Sequence, residues 1–163
     1  MFAKFLCAAR AALCGPVLLA AWAVPGLADD MPIADDAALR AALAAGGTGH
    51  MLVLAPGTYD PIVVLGDDAP DGLRSADPAD PAVLLGLEVR GVDGFRVENL
   101  IFDYRFDPSD EIHVRPFRFA GSENGVITGN RLVGDDARGR GPIDDGYGWG
   151  FGLMVEGSRY VTV

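Results

Sequence analysis

Apolar and polar positions in the second half of the chain fall into an eleven-residue row that occurs three times: LEVRGVDGFRV (Leu87 to Val97), FRFAGSENGVI (Phe117 to Ile127) and LMVEGSRYVTV (Leu153 to Val163). Positions one and three are apolar in every copy: Leu87 and Val89, Phe117 and Phe119, Leu153 and Val155. Position five is always glycine (Gly91, Gly121, Gly157), and position eleven is always β-branched (Val97, Ile127, Val163). Apolar residues two apart on either side of a glycine predict two short strands joined at a tight corner. The copies begin 30 and then 36 residues apart, a spacing that predicts stacked repeats with strands lying on one another.

Upstream, the pattern changes. Asp35 and Asp36 precede an alanine- and leucine-rich run, Ala37 to Ala45, and Gly46-Gly47 follow it. Acids at the start and glycine at the end predict a short helix with one apolar face, Leu39, Ala42 and Leu43. Then come a buried-looking strand from His50, broken by Pro56-Gly57, and a second aliphatic strand, Ile62 to Leu65. The Asp-, Gly- and Pro-rich stretch 66–82 reads as a solvated loop, and His50 reads as a structural residue.

The helix, its glycines and the run Leu52-Val53-Leu54-Ala55-Pro56-Gly57-Thr58-Tyr59 together resemble the beginning of right-handed parallel β-helix proteins, the pectate-lyase-like superfamily. The resemblance implies an all-β solenoid of closed right-handed coils, with the short N-terminal helix capping the first coil. It also implies that Asn130 belongs among the asparagines such proteins stack inside their corners. Each row continues into a third apolar segment, Val97 to Phe102 and Ile127 to Leu132. A bare coil takes roughly 20 to 25 residues, so the longer spacings leave two excursions, Asp103 to Pro116 and Val133 to Gly152. The last row ends at Val163 without a polar capping segment, which predicts that residues 29–163 are the N-terminal part of a longer β-helix domain.

Residues 1–28 change the reading of the composition. Lys4 and Arg10 precede an apolar stretch, Ala11 to Val24, and Gly26-Leu27-Ala28 supplies small residues before Asp29, the layout of a cleaved secretory signal. Its apolar core is short for a bilayer span, so export to a secreted or periplasmic location is expected, without a stable membrane segment. Cys7 and Cys14 leave with it, and the mature chain then has no cysteine for a disulfide or a thiolate metal site. Eleven arginines then face 23 acids, a net charge of −12. No basic stripe exists to neutralise phosphates, which excludes sequence-independent nucleic-acid binding.

Candidate chemistry sits in the two excursions. The second holds two acid pairs, Asp135-Asp136 and Asp144-Asp145, with Tyr147 and Trp149 among glycines. Paired carboxylates suit a calcium ion or a divided acid–base role, and exposed aromatics suit the apolar face of a sugar ring. The same residues would equally suit a solvated loop whose aromatics fold back on the coil. The words Gly134-Asp135-Asp136 and Asp144-Asp145-Gly146 resemble the aspartate motifs of polygalacturonases. The asparagine-threonine-aspartate and glycine-histidine-glycine motifs of those enzymes are absent from this sequence. The first excursion and the strand after it offer Tyr104, Arg105, His113, Arg115 and Arg118. Lyases of the superfamily need a base to remove the proton beside a uronate carboxylate and cations to neutralise that carboxylate. Arg115 or His113 could serve in catalysis and Arg118 in substrate binding, with Tyr104 a further proton acceptor. Arg115 and Arg118 could also simply pair with neighbouring acids.

The function expected is therefore binding or modification of an extracellular acidic polysaccharide, lyase-like or epimerase-like, with no cofactor beyond a possible Ca²⁺. The alternative is a non-catalytic β-helix scaffold or adhesion segment. The export reading predicts that the mature polypeptide starts at Asp29. N-terminal sequencing of the secreted protein checks this, and a retained Met1 contradicts it.

Overall fold

The computed structural model describes residues 29–66, 68–105, 115–133 and 152–163. In chain order the elements are β1 (Asp29–Ile33), α1 (Asp36–Ala45), β2 (His50–Leu54), β3 (Thr58–Tyr59), β4 (Ile62–Leu65), β5 (Gly72–Ser75) and β6 (Val83–Leu84). They continue as β7 (Leu87–Arg90), β8 (Arg96–Glu98), β9 (Ile101–Asp103), β10 (Phe117–Ala120), β11 (Val126–Thr128), β12 (Arg131–Val133) and β13 (Met154–Glu156). These thirteen strands form three sheets: β1-β2-β5-β8-β11, then β3-β6-β9-β12, then β4-β7-β10-β13. Every pairing between these strands is parallel. From β2 onward the chain visits the first, second and third sheets in the same order four times, and Thr162 then bridges back to Val126 in the first sheet.

The eleven-residue row is this register written in sequence. Leu87 lies beside Phe117 and Val89 beside Phe119, Phe119 beside Val155, and Val97 beside Ile127. Alternate residues point inward, as the pleat requires, so Leu87, Val89, Phe117 and Phe119 are buried while their neighbours Glu88, Arg90 and Arg118 lie on the outer face. Phe102 stacks on Phe117 with ring centroids 4.5 Å apart, and Phe95 meets Phe119 at 6.3 Å. The row has an earlier half-copy in the first turn. Ile62 and Val64 stand beside Leu87 and Val89, and Gly66 turns with φ +73° like Gly91, Gly121 and Gly157 at +62°, +61° and +56°.

Corners close with local hydrogen bonds. The Ser122 hydroxyl accepts from the Val92 amide at 3.3 Å, and the Ser158 hydroxyl accepts from the Ser122 amide at 3.1 Å, a ladder one turn per rung. At the corner between the first and second sheets, Asn130 accepts from the Leu100 amide and donates to the Val97 carbonyl, both at 2.9 Å. Asn130 thus satisfies two backbone groups of the preceding turn.

The stretch 66–82 is not wholly loop. β5 runs through it, with Leu73 and Ser75 buried. Its signal is a single inward leucine; pairing with β2 and β8 holds the rest. The Ser75 hydroxyl accepts from Ala82 N at 3.0 Å and donates to Asp77 O at 3.2 Å, tying down the remaining loop. The acidic run after residue 28 likewise contains β1, an edge strand beside β2. Pro32 is tolerated there because an edge strand can forgo a donor.

α1 begins where the sequence signals. Asp35 caps it by accepting from Ala38 N at 2.8 Å, and Gly46 ends it with φ +75°. Leu39 is buried in the common core. Asp36 accepts from Asp60 N at 3.0 Å and Gly47 N donates to Asp68 O at 3.0 Å, so the helix is anchored at both corners that flank β4. β1 thus adds one more strand beyond β2, and α1 lies beside the first turn with Leu39 in the core. Tyr59, fully buried, donates to Ala55 O at 2.9 Å; burial, with Asp35 and Asp36 nearby, pushes its hydroxyl above the ordinary tyrosine pKa.

Two glycines separate steric from conformational need. A Cβ on Gly72 would collide with the backbone of Arg96, whereas one on Gly91 would meet nothing within 4 Å and only the positive φ opposes it. Gly72→Ala should therefore cost about 1–3 kcal/mol or more by overpacking, and Gly91→Ala roughly 1 kcal/mol. Urea denaturation of both variants checks the order; equal losses would contradict the close approach of β5 and β8.

Candidate functional site

The corner between the second and third sheets is where the turns differ most. In the first turn it is Asp60-Pro61 and in the second Leu85-Gly86. In the third it spans 104–116 and in the fourth 134–153. The long connections leave from Asp103 and Val133, which are register partners, and return to β10 and β13, which pair with each other. Both excursions therefore start and finish at the same place on successive turns. Surface connections tolerate added length where strands in a packed stack do not.

Beside that corner, the outer face of the third sheet carries a charge cluster. Register places Glu88, Arg118 and Met154 in one row and Arg90, Ala120 and Glu156 in the next. Arg118 Nη1 donates to Glu88 Oε1 at 2.9 Å, and its Nη2 lies 3.2 Å from Glu156 Oε1. Arg90 Nη2 donates to Glu88 Oε2 at 2.7 Å, and Arg115 Nη1 stands 3.9 Å from Glu156 Oε2. Arg118 and Glu88 are each only about a fifth exposed, at 23% and 22%. Among the described residues, Arg118 Nε and Glu156 Oε2 are buried without a hydrogen-bond partner. Among the described residues of this cluster three guanidinium groups thus share two carboxylates, on a chain whose net charge is strongly acidic. At the start of the first excursion Arg105 Nε lies 3.6 Å from Asp103, and Tyr104 packs against the core.

Of the residues singled out in the sequence, Arg115 and Arg118 are brought together through Glu156, and both pair with acids. His113, Asp135, Asp136, Asp144, Asp145, Tyr147 and Trp149 lie outside the described residues. Among the described residues no three His, Cys, Asp or Glu side chains converge to hold a metal ion, and no helix is long and apolar enough to cross a membrane. Glu88, Arg90 and Glu156 were not foreseen. Their signal was available in the row itself, because positions two and four are the outward ones. Comparison with family models, curated proteins and solved structures gave no match for the chain.

Hydrogen bonding from Arg90 holds the Glu88 carboxyl below its ordinary range, Arg118 adds to this, and burial opposes it. A depressed pKa stabilises the fold above the ordinary carboxyl pKa, and that contribution is lost as pH falls through the lowered value. Glu88→Gln should flatten the acid side of the stability–pH profile. Thermal melts from neutral to acidic pH check this; an unchanged acid limb would show that the pair carries no linkage.

Proposed function

We propose that this chain forms a right-handed parallel β-helix of the pectate-lyase-like kind, and that the outer face of its third sheet binds or modifies an extracellular acidic polysaccharide. The cyclic order of three parallel sheets supports the solenoid reading, and right-handed crossover is the general rule for parallel strands. The observation that carries the function is the coincidence of two long excursions with the arginine cluster at one corner of successive turns.

The chemistry follows from charge. A net charge of −12 repels a polyuronate at long range. Arg90, Arg115 and Arg118 form the local exception, and guanidinium groups meet carboxylates in paired, charge-assisted geometry. Lyase or epimerase chemistry would further need a base beside the bound uronate. His113, Tyr104 and the aspartate pairs of the second excursion are the residues that could supply it. The scaffold reading has its own support: Glu88 and Glu156 already occupy Arg118, as they would in a surface that binds without reacting.

Incubation of the secreted protein with alginate, pectate and chondroitin separates these readings. Unsaturated or reducing ends mark an enzyme, and retardation in an affinity gel without new ends marks a binding scaffold. The absence of both new ends and retardation with all three polymers would sink the polysaccharide reading. Arg118→Ala should weaken binding about tenfold or more, the worth of a charge-assisted hydrogen bond. The double variant Tyr147→Ala/Trp149→Ala should lose binding altogether if those rings contact the sugar.

A further inference from the structure

We infer that the corner between the third and first sheets carries a second carbohydrate contact, a stacking platform at Tyr160 for a neutral sugar ring. The starting point is a backbone outlier. Position eight of the row adopts a left-handed conformation in every copy: Gly94 at φ +71°, Asn124 at +54° and Tyr160 at +56°. Glycine and asparagine accept that conformation readily, whereas a bulky aromatic there is a strained exception. Strain of this kind persists where the structure over-determines it, and it concentrates at ligand contacts. This position faces outward on the inner turns too, where Gly94 and Asn124 are exposed, so the Tyr160 side chain stands on an outward row.

The surroundings suit a sugar. Asp93, Glu123 and Arg159 stand in register on three successive turns, one residue before Gly94, Asn124 and Tyr160. Arg159 donates through Nε and Nη2 to Glu123 Oε1, and Asn124 Nδ2 donates to Asp93 Oδ1 at 2.7 Å. Carboxylates fixed in this way are acceptors suited to sugar hydroxyls. The corner is also open: a Cβ at Gly91, Gly94 or Gly121 would meet nothing within 4 Å. Its two carboxylates outnumber its one guanidinium, so a neutral ring fits where a uronate would be repelled. This is the reverse of the third-sheet cluster. The class of ligand rests on the polysaccharide reading above, while the position rests on the outlier and its neighbours.

The test is isothermal titration of the secreted protein with two neutral probes, cellohexaose and mannohexaose, and with an acidic one, a hexagalacturonate. Wild type and Tyr160→Phe should bind at least one neutral probe. Tyr160→Gly and Tyr160→Asn, which relieve the strain, should melt no lower than wild type and yet lose neutral-probe affinity about tenfold or more. Arg118→Ala should leave neutral binding unchanged. Unaltered neutral binding in Tyr160→Gly overturns the platform. So does failure of both neutral probes on wild type while hexagalacturonate binds, an outcome that leaves the third-sheet reading standing. Failure of all three probes overturns both.

Discussion

Each turn of this chain is held by the turn before it, through parallel backbone pairing in a fixed register. A slip of one residue would carry the inward side chains of a strand to the outside. Register is fixed by the columns within: Ile62, Leu87 and Phe117 in one, Val64, Val89, Phe119 and Val155 in the other. Left-handed glycines, the Ser122–Ser158 ladder and Asn130 keep the corners in phase with those columns. No single turn could bury its apolar face alone, which is why the stack and the repeat are the same fact.

That constraint decides where variation is possible. A strand cannot lengthen without disturbing its neighbours above and below, but a corner can. The corner between the second and third sheets grows on the third and fourth turns only. Both excursions therefore leave and rejoin the stack at the edge of the sheet that carries Glu88, Arg90, Arg118 and Glu156. Outward positions in the sheet are free of packing demands, so this face can hold charge: Val63 and Leu65 at the first strand give way to a guanidinium–carboxylate cluster on the next three.

Much of this was legible in the sequence. Alternation around Gly91, Gly121 and Gly157 predicted strands, corners and register together, because period two and a left-handed turn leave distinct marks. α1 was legible from Asp35 and Gly46 for the same reason. β1 and β5 were not. Asp29-Asp30-Met31-Pro32-Ile33 and Gly72-Leu73-Arg74-Ser75 carry little apolar periodicity and exist through backbone pairing to a neighbour. The half-copy at Ile62 was hidden because Gly66 stands one residue farther from its inward partner Leu73 than Gly91 does from Val97. At the candidate site, Arg115 and Arg118 stood out as cations near an excursion. Their partners Glu88 and Glu156 did not, because they are distant in sequence and adjacent only once the turns stack.

The most direct test of the proposal that stacking builds a ligand-binding face on the third sheet is hydrogen exchange of the protein with and without pectate. The account predicts new protection in peptides covering Leu87–Arg90, Arg115–Ala120 and Met154–Glu156, together with the excursions at 104–116 and 134–153. Protection confined to β2 and β5 on the first sheet, or none under saturating ligand, would contradict it.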